Sequence, residues 1–277
     1  MAKQRKGGGR KPDVATFAGL AIALGGIIGG LILEGGEIRD IAQYTAAMIV
    51  LGGTIGAVLV ATPLAVVRAA AKKLLAVFFA KTLTPEATIE EIIGYATKAR
   101  RNGIVSLEQD ADAIADPFLR KALMLAVDGA DIQDLRKMME LEISMAEQEG
   151  EAHAKVFEAA GGFAPTIGII GAVLGLIQVM KNLENIEEVG HGIAVAFVAT
   201  VYGVGAANLF FLPAANKIKA RIHQETLLRE LMLEGVVGIV EGLNPKLIRS
   251  KLEAFVSEEG KAKDKKARSG ARKPAAA

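Results

Sequence analysis

Four stretches without Asp, Glu, Lys, Arg or His run through the chain, at 14–33, 41–67, 159–180 and 192–216. A helix crosses the hydrocarbon core of a bilayer in roughly 20 apolar residues, so each stretch is long enough to span a membrane. Between the second and third stretches the pattern changes to apolar residues at helical spacing. Thr84-Pro85 opens a helix with Ile89, Ile92 and Ile93 on one face, and Asn102-Gly103 closes it. Ser106 and Gln109 have the spacing of a capping box for a second helix that stops before Pro117. A third runs from Pro117 to about Asp128. From Asp131 an amphipathic pattern (Leu135, Met138, Met139, Leu141, Met145) continues to Ala160 and feeds the third apolar stretch. The fourth stretch continues through Ile218, Ile222, Leu227, Leu228 and Leu231, and Asn244-Pro245 begins one more short helix.

The predicted fold class is an all-α integral membrane protein, with four transmembrane helices and a helical cytoplasmic domain from the 2–3 loop and the C-terminal region. The expected division is a basic N-terminus (1–13), a transmembrane hairpin (14–67), a helical loop (68–158), a second transmembrane hairpin (159–216), C-terminal helices (217–260) and a disordered basic tail (261–277). A basic segment followed by an apolar run resembles a signal peptide. The run at 14–33 is too long for one, however, and no small-x-small cleavage site follows, so the expectation is a retained span.

Charge orients the spans. The loops 34–40 and 181–191 are acid-rich, whereas Lys3, Arg5, Lys6, Arg10 and Lys11, then Arg68, Lys72 and Lys73, then Lys217, Lys219 and Arg221 flank the other ends. Lys and Arg near span ends favour the cytoplasm, which puts both termini and the 68–158 loop inside. Composition agrees with a membrane protein: 51% of the 277 residues are hydrophobic, and many of the 31 glycines lie in the spans, where small residues let helices approach closely. With no Cys there is neither a disulfide framework nor a thiolate metal site.

Candidate chemistry is sparse. There is no P-loop, HExxH or GxSxG, and the three histidines (His153, His191, His223) are scattered, so no enzyme, cofactor or metal site is expected. Thr200 shares a small-residue face with Ala196, Gly203 and Ala207; Thr166, Gly168, Ala172 and Gly175 form a comparable face on the third span. Two readings stand side by side: the faces pack on each other, or they line a water-accessible space around a partner helix. Pro165 and Pro213 are either static kinks or hinges. An ion relay through a membrane ordinarily uses an intramembrane carboxylate. No span holds one, so either the chain conducts nothing or another polypeptide supplies the acid.

The stretches GFAPTIGIIGAVLGLIQVMKNL and GIAVAFVATVYGVGAANLFFLPAANKIK closely resemble the MotA family of flagellar motor stator subunits, within the MotA/TolQ/ExbB proton channel superfamily. GGTIGAVLVATPL at 52–64 and KARRNGIVSLE at 98–108 carry the same resemblance, which covers about residues 14–255. It implies a homo-oligomeric ring, a pentamer, in the bacterial inner membrane around a MotB-like, peptidoglycan-binding partner whose Asp is the missing acid. It also implies torque on the rotor protein FliG through Arg100, Arg101 and Glu108, coupling through Pro165 and Pro213, and an ion path at Thr200. With Thr200 go Ala172, Thr166, Gly168, Gly175, Ala196 and Gly203. Sodium-driven relatives carry a second Thr where this chain has Ala172, so the implied ion is the proton. Basic segments at either end suit anionic lipid headgroups. A TolQ/ExbB-like energiser, usually with three spans, and a non-conducting scaffold are the alternatives.

Overall fold

A computed structural model describes residues 14–78 and 84–256, and among them it contains no strand. The basic segment 1–13 and the tail 261–277 lie outside the described residues. The chain divides into two compact units. The first comprises the described parts of Met1–Lys81 and Gln148–Ile222, and the second those of Thr82–Glu147 and His223–Ala277.

In the first unit, four helical segments are long and apolar enough to cross a membrane. α1 (Val14–Leu33) is the first span. It ends in a Schellman turn, the Gly36 N–H reaching the Leu31 carbonyl at 2.9 Å and the Gly35 N–H the Ile32 carbonyl at 3.0 Å. Gly35 sits at φ +84°, a conformation that glycine adopts without a Cβ clash.

The second span is not one continuous helix. α2 (Ile38–Ile41) and α3 (Tyr44–Ala47) are separated by Ala42 and Gln43, and a π-helical turn (Met48–Gly52) precedes α4 (Gly53–Ala61). The span was predicted to reach residue 67; its helix stops at Ala61. Thr62 is extended, at φ −137° and ψ 135°, because the ring of Pro63 disfavours a helical predecessor. α5 (Leu64–Phe78) begins after this break, so Arg68, Lys72 and Lys73 stand on a separate helix.

The third span is the C-terminal part of α8 (Ile132–Lys181), a 50-residue helix. The fourth runs through α9 (Ile186–Gly205), a second π-helical turn (Ala206–Phe211) and the start of α10 (Leu212–Val240). The expected continuity of both spans into the flanking amphipathic segments is therefore present.

In the second unit, α6 (Pro85–Asn102) has the predicted start and stop. The predicted capping box does not form: Ile104–Ala113 is a 3₁₀ helix. The Ser106 hydroxyl donates back to the Gly103 carbonyl at 2.7 Å instead of capping a helix ahead of it. α7 (Pro117–Val127) is capped by Asp116, whose carboxylate accepts from the Phe118 and Leu119 N–H groups at 2.9 and 3.1 Å. A last helix, α11, covers 245–256.

Ile92, Leu107, Leu119, Leu135, Met139 and Leu252 are buried in the core of this unit. The apolar stripe predicted on α8 divides in two. Leu135 and Met139 are inside, whereas Met138, Leu141 and Met145 are 44%, 62% and 63% exposed. Helical spacing brings these three together on an outer face that no described residue covers.

Glu234 on α10 joins three helices of this unit, pairing with Arg136 of α8 at 2.5 Å and Lys251 of α11 at 2.7 Å. Burial works against its ionised form. The hydrogen bonds and charges of Arg136 and Lys251 together outweigh that effect and hold the carboxyl below its ordinary value of 4.5. A carboxyl depressed in the folded state contributes stability in full above its unfolded value and loses it as pH falls through the lower folded value. Wild type is therefore expected to melt above Glu234→Gln at neutral pH. The difference should close as pH drops from about 4.5 towards 3 in circular-dichroism melts of the full chain. A difference unchanged over that range would show that Glu234 acts through shape and not charge.

Candidate functional site

The third and fourth spans meet along their glycines. A Cβ at Gly168 would stand 2.9 Å from the Ala199 carbonyl oxygen, one at Gly175 2.8 Å from the Ala196 nitrogen, and one at Gly203 2.6 Å from the Ala164 carbonyl oxygen. Real Cβ atoms do not approach within 3.0 Å, so along this line α8 and α9 touch backbone to backbone.

Gly168, Gly175, Ala196 and Gly203 are all buried in this seam, where each faces the neighbouring span of the same chain. Of the seven candidate lining residues, Thr166, Ala172 and Thr200 keep exposed surface: Thr166 is exposed, the other two half-buried. The Thr200 hydroxyl donates to the Ala196 carbonyl at 3.2 Å, and that of Thr166 to the Phe163 carbonyl at 2.8 Å. Back-bonding of this kind uses the proton and leaves the oxygen lone pairs as acceptors.

Pro213 is the second residue of α10 and follows the π-helical turn directly. Proline has no N–H to donate, and its ring clashes with the carbonyl four residues back; the widened turn accommodates both defects. Pro165 lies inside α8 without ending it. The residue whose carbonyl Pro165 leaves without a helical partner is Gly161. A Cβ there would meet Leu212 Cδ2 at 2.6 Å, so the two proline turns pack on each other.

Three features escaped the sequence reading. The Tyr202 hydroxyl, on the fourth span, donates to the Ile41 carbonyl and accepts from the Gln43 N–H at 3.3 Å. It thereby bridges the break in the second span, where the Gln43 N–H also donates to the Ile41 carbonyl at 3.1 Å. Thr54, fully buried, donates to the Val50 carbonyl at 2.6 Å beside the first π-helical turn. Pro63 was the third; its signal, Thr62-Pro63, was readable inside the apolar run.

Arg100, Arg101 and Glu108 belong to the second unit. All three are exposed, and none forms an ion pair with a described residue. Their neighbours Lys98 and Asp110 do pair, at 2.7 Å. Two further residues of the 98–108 stretch, Gly103 and Leu107, are structural. Gly103 ends α6 at φ +81° and ψ 156°, a region essentially reserved for glycine. Leu107, 1% exposed, fixes the 3₁₀ helix to the core. The motif thus anchors itself by Gly103 and Leu107 and presents its charges to solvent.

A family model described as Motility protein A N-terminal matches residues 17–102, and one described as the MotA/TolQ/ExbB proton channel family matches residues 110–231. Motility protein A of Bacillus subtilis (strain 168) is 35% identical over 246 residues, covering 88% of this chain and 91% of that protein. The chain belongs to the motility protein A family. Two solved structures extend the likeness to three dimensions. The structure of C. jejuni MotAB matches with a TM-score of 0.84 at 32% identity, covering 88% of this chain and 95% of that one. The flagellar MotAB stator complex from Bacillus subtilis matches at 0.81 and 36%, covering 87% and 95%. This member of the motility protein A family is a membrane-embedded subunit of the stator ion-channel class.

The seam yields a matched pair of variants. Gly203→Ala forces a methyl into the Ala164 carbonyl, whereas Gly205 has nothing within 4 Å of its Cβ position. Overpacking costs roughly 1–3 kcal/mol, so Gly203→Ala is expected to lower the melting temperature by several degrees while Gly205→Ala leaves it unchanged or raised. Size-exclusion melts of the detergent-solubilised chain check this; equal effects would mean that the helices are not held at backbone contact.

Proposed function

We propose that this chain forms the wall of a proton-driven stator in the bacterial inner membrane, both termini and the 68–158 loop cytoplasmic, as its basic span flanks favour. A single-span, peptidoglycan-binding subunit of the MotB kind supplies the carboxylate. The observation that carries this reading is the absence of any Asp or Glu from the apolar stretches 14–33, 41–67, 159–180 and 192–216 of a proton-channel family member.

Thr200 has the chemistry for such a partner. While its proton rests on the Ala196 carbonyl, its oxygen accepts the O–H of a protonated acid. When the acid ionises, the hydroxyl turns from Ala196 and donates to the carboxylate. An unpaired charge in the hydrocarbon costs at least about 2.5 kcal/mol, and each proton crossing 100 mV releases about 2.3 kcal/mol, so one donor changes the balance appreciably. With Ala172 in place of a second hydroxyl, the site has too few oxygens to replace the hydration shell of sodium. A proton needs only the acid and water.

The mutual packing of the Pro165 and Pro213 turns supports coupling of span movement to α8 and α10, each of which continues into the second unit. Arg100, Arg101 and Glu108, exposed and unpaired, suit an oppositely patterned face on the rotor protein FliG. The uncovered stripe of Met138, Leu141 and Met145 suits contact between copies in a ring of five.

Co-expression with the partner in a stator-deleted strain tests the assignment. Thr200→Ala and Pro165→Ala are expected to reduce swimming at least several-fold with normal membrane levels. Arg100→Asp with Glu108→Lys should abolish swimming while proton uptake by the assembled complex persists. Normal motility in all of these would remove the site assignment. Swimming speed that followed external sodium at fixed proton motive force would overturn the choice of ion.

A further inference from the structure

α8, α10 and α11 enclose a groove within the second unit that the proposed function does not use. Glu140 and Glu147 line it from α8, and Glu230 and Glu234 from α10; Arg136 is the one cation among its described lining residues. That cation is shared. Glu140 and Glu234 both pair with Arg136, and Glu234 also with Lys251 of α11. Even with Lys251 counted, four carboxylates meet two cations. Glu147, half-buried, forms no ion pair with a described residue. The groove is therefore net acidic, and like charges on α8 and α10 repel across it.

A second observation points to what meets this charge. Phe255 of α11 lines the same groove, and α11 ends at residue 256. The chain continues as 257–277, so its next residues depart from the wall of the groove itself. That segment has the opposite sign. It holds seven Lys or Arg against three acids, and all seven cations lie between 261 and 273. Its length is sufficient. Lys261 is five residues beyond Val256, a reach of up to about 17 Å. Glu140 and Glu147 are seven residues apart, about 10 Å along α8. A short tether holds the segment at an effective concentration on the order of millimolar, so contacts that would be too weak for a free peptide suffice. Single ion pairs at an open surface are worth little, whereas several charges acting together are worth more.

We propose that residues 261–273 return to this groove of their own chain and set Lys and Arg side chains against Glu140 and Glu147 of α8 and Glu230 of α10. The docked segment relieves the repulsion across the groove and clasps α8 to α10. Salt loosens the clasp, because the screening length falls from about 10 Å at 0.1 M to about 3 Å at 1 M. An anionic membrane and a second copy are the other surfaces open to a basic segment, but only this groove shares a wall with the residues it departs from. The proposal is independent of which ion flows, of Thr200 and of the rotor contact.

The test uses the full chain assembled with its partner. The chain has no Cys, so Ser144→Cys in the groove and Ala262→Cys in the segment give one pair of thiols per copy. A disulfide within single chains is expected in most copies at about 0.05 M salt and in several-fold fewer at about 1 M. Glu147→Gln with Glu230→Gln should cut the low-salt yield several-fold. So should Lys263→Gln, Lys265→Gln, Lys266→Gln and Arg268→Gln combined. Without the thiols, that fourfold variant should melt several degrees below wild type at low salt and level with it at high salt. A yield indifferent to salt and to the groove substitutions would overturn the proposal, as would disulfides formed only between copies. Loss of the disulfide on reconstitution with phosphatidylglycerol, but not with phosphatidylcholine, would show that lipid takes the segment, and would also overturn it. If the thiol variant fails to assemble, the melting comparison decides.

Discussion

Backbone-to-backbone contact between α8 and α9 is the constraint on which the membrane half of this protein depends. Lipid tails are as apolar as leucine, so two spans gain nothing from burying leucines against each other; they associate through close van der Waals contact. Glycine at 168, 175 and 203 permits that contact, and it fixes the rotation of both helices. Once these residues face inward, Phe197, Val201 and Val204 must face outward, and all three are well exposed. Thr200 is left at the edge of the seam, held against the Ala196 carbonyl and half-open to whatever lies beyond. A small-residue stripe is thus not interchangeable with a channel lining: the seam uses up the stripe and leaves the Thr200 hydroxyl beside it.

The same environment explains the hydrogen bonds that look incidental. In hydrocarbon an orphaned carbonyl has no water to turn to. The second span breaks at Ala42 and Gln43, where the Gln43 N–H reaches the Ile41 carbonyl at 3.1 Å and Tyr202 bonds to both groups. Thr54 serves the Val50 carbonyl at the first π-helical turn. The second π-helical turn absorbs Pro213, and Gly161 brings the Pro165 turn against Leu212. Each irregularity has a hydrogen-bonding or packing partner close by, in its own span or a neighbouring one.

Elements governed by local signals were legible in the sequence. Thr84-Pro85, Asn102-Gly103 and Pro117 bound their helices as read, because caps and breakers act within a few residues. The Ser106 capping box failed because the spacing alone does not say which way a hydroxyl turns, and the carbonyl of Gly103 was nearer. The break at Ala42 could not be read locally, since the group that satisfies it lies 161 residues along the chain. Periodicity identified the apolar residues of α8 but not their neighbours, so Met138, Leu141 and Met145 were grouped with a core they do not enter. At the candidate site, residue type alone singled out Thr200, Pro165 and Pro213. It could not divide the small residues into packing and lining, because both uses demand the same residues.

The charges of the second unit divide along a similar line. Arg136, Glu234 and Lys251 are committed to one another, as are Arg249 and Glu90, at 2.5 Å. Such pairs hold helices in register, yet the exposed ones add little net stability. Lys98 and Asp110 pair beside Arg100, Arg101 and Glu108, which form no ion pair with a described residue. If these three had served the fold, the nearby carboxylates and cations could have been spent on them as well. Solvated charges on a rigid base lose little on meeting a complementary face, and they steer its approach and register more than they add affinity. Gly103 and Leu107 provide that base. A surface built this way favours contacts that form and release quickly.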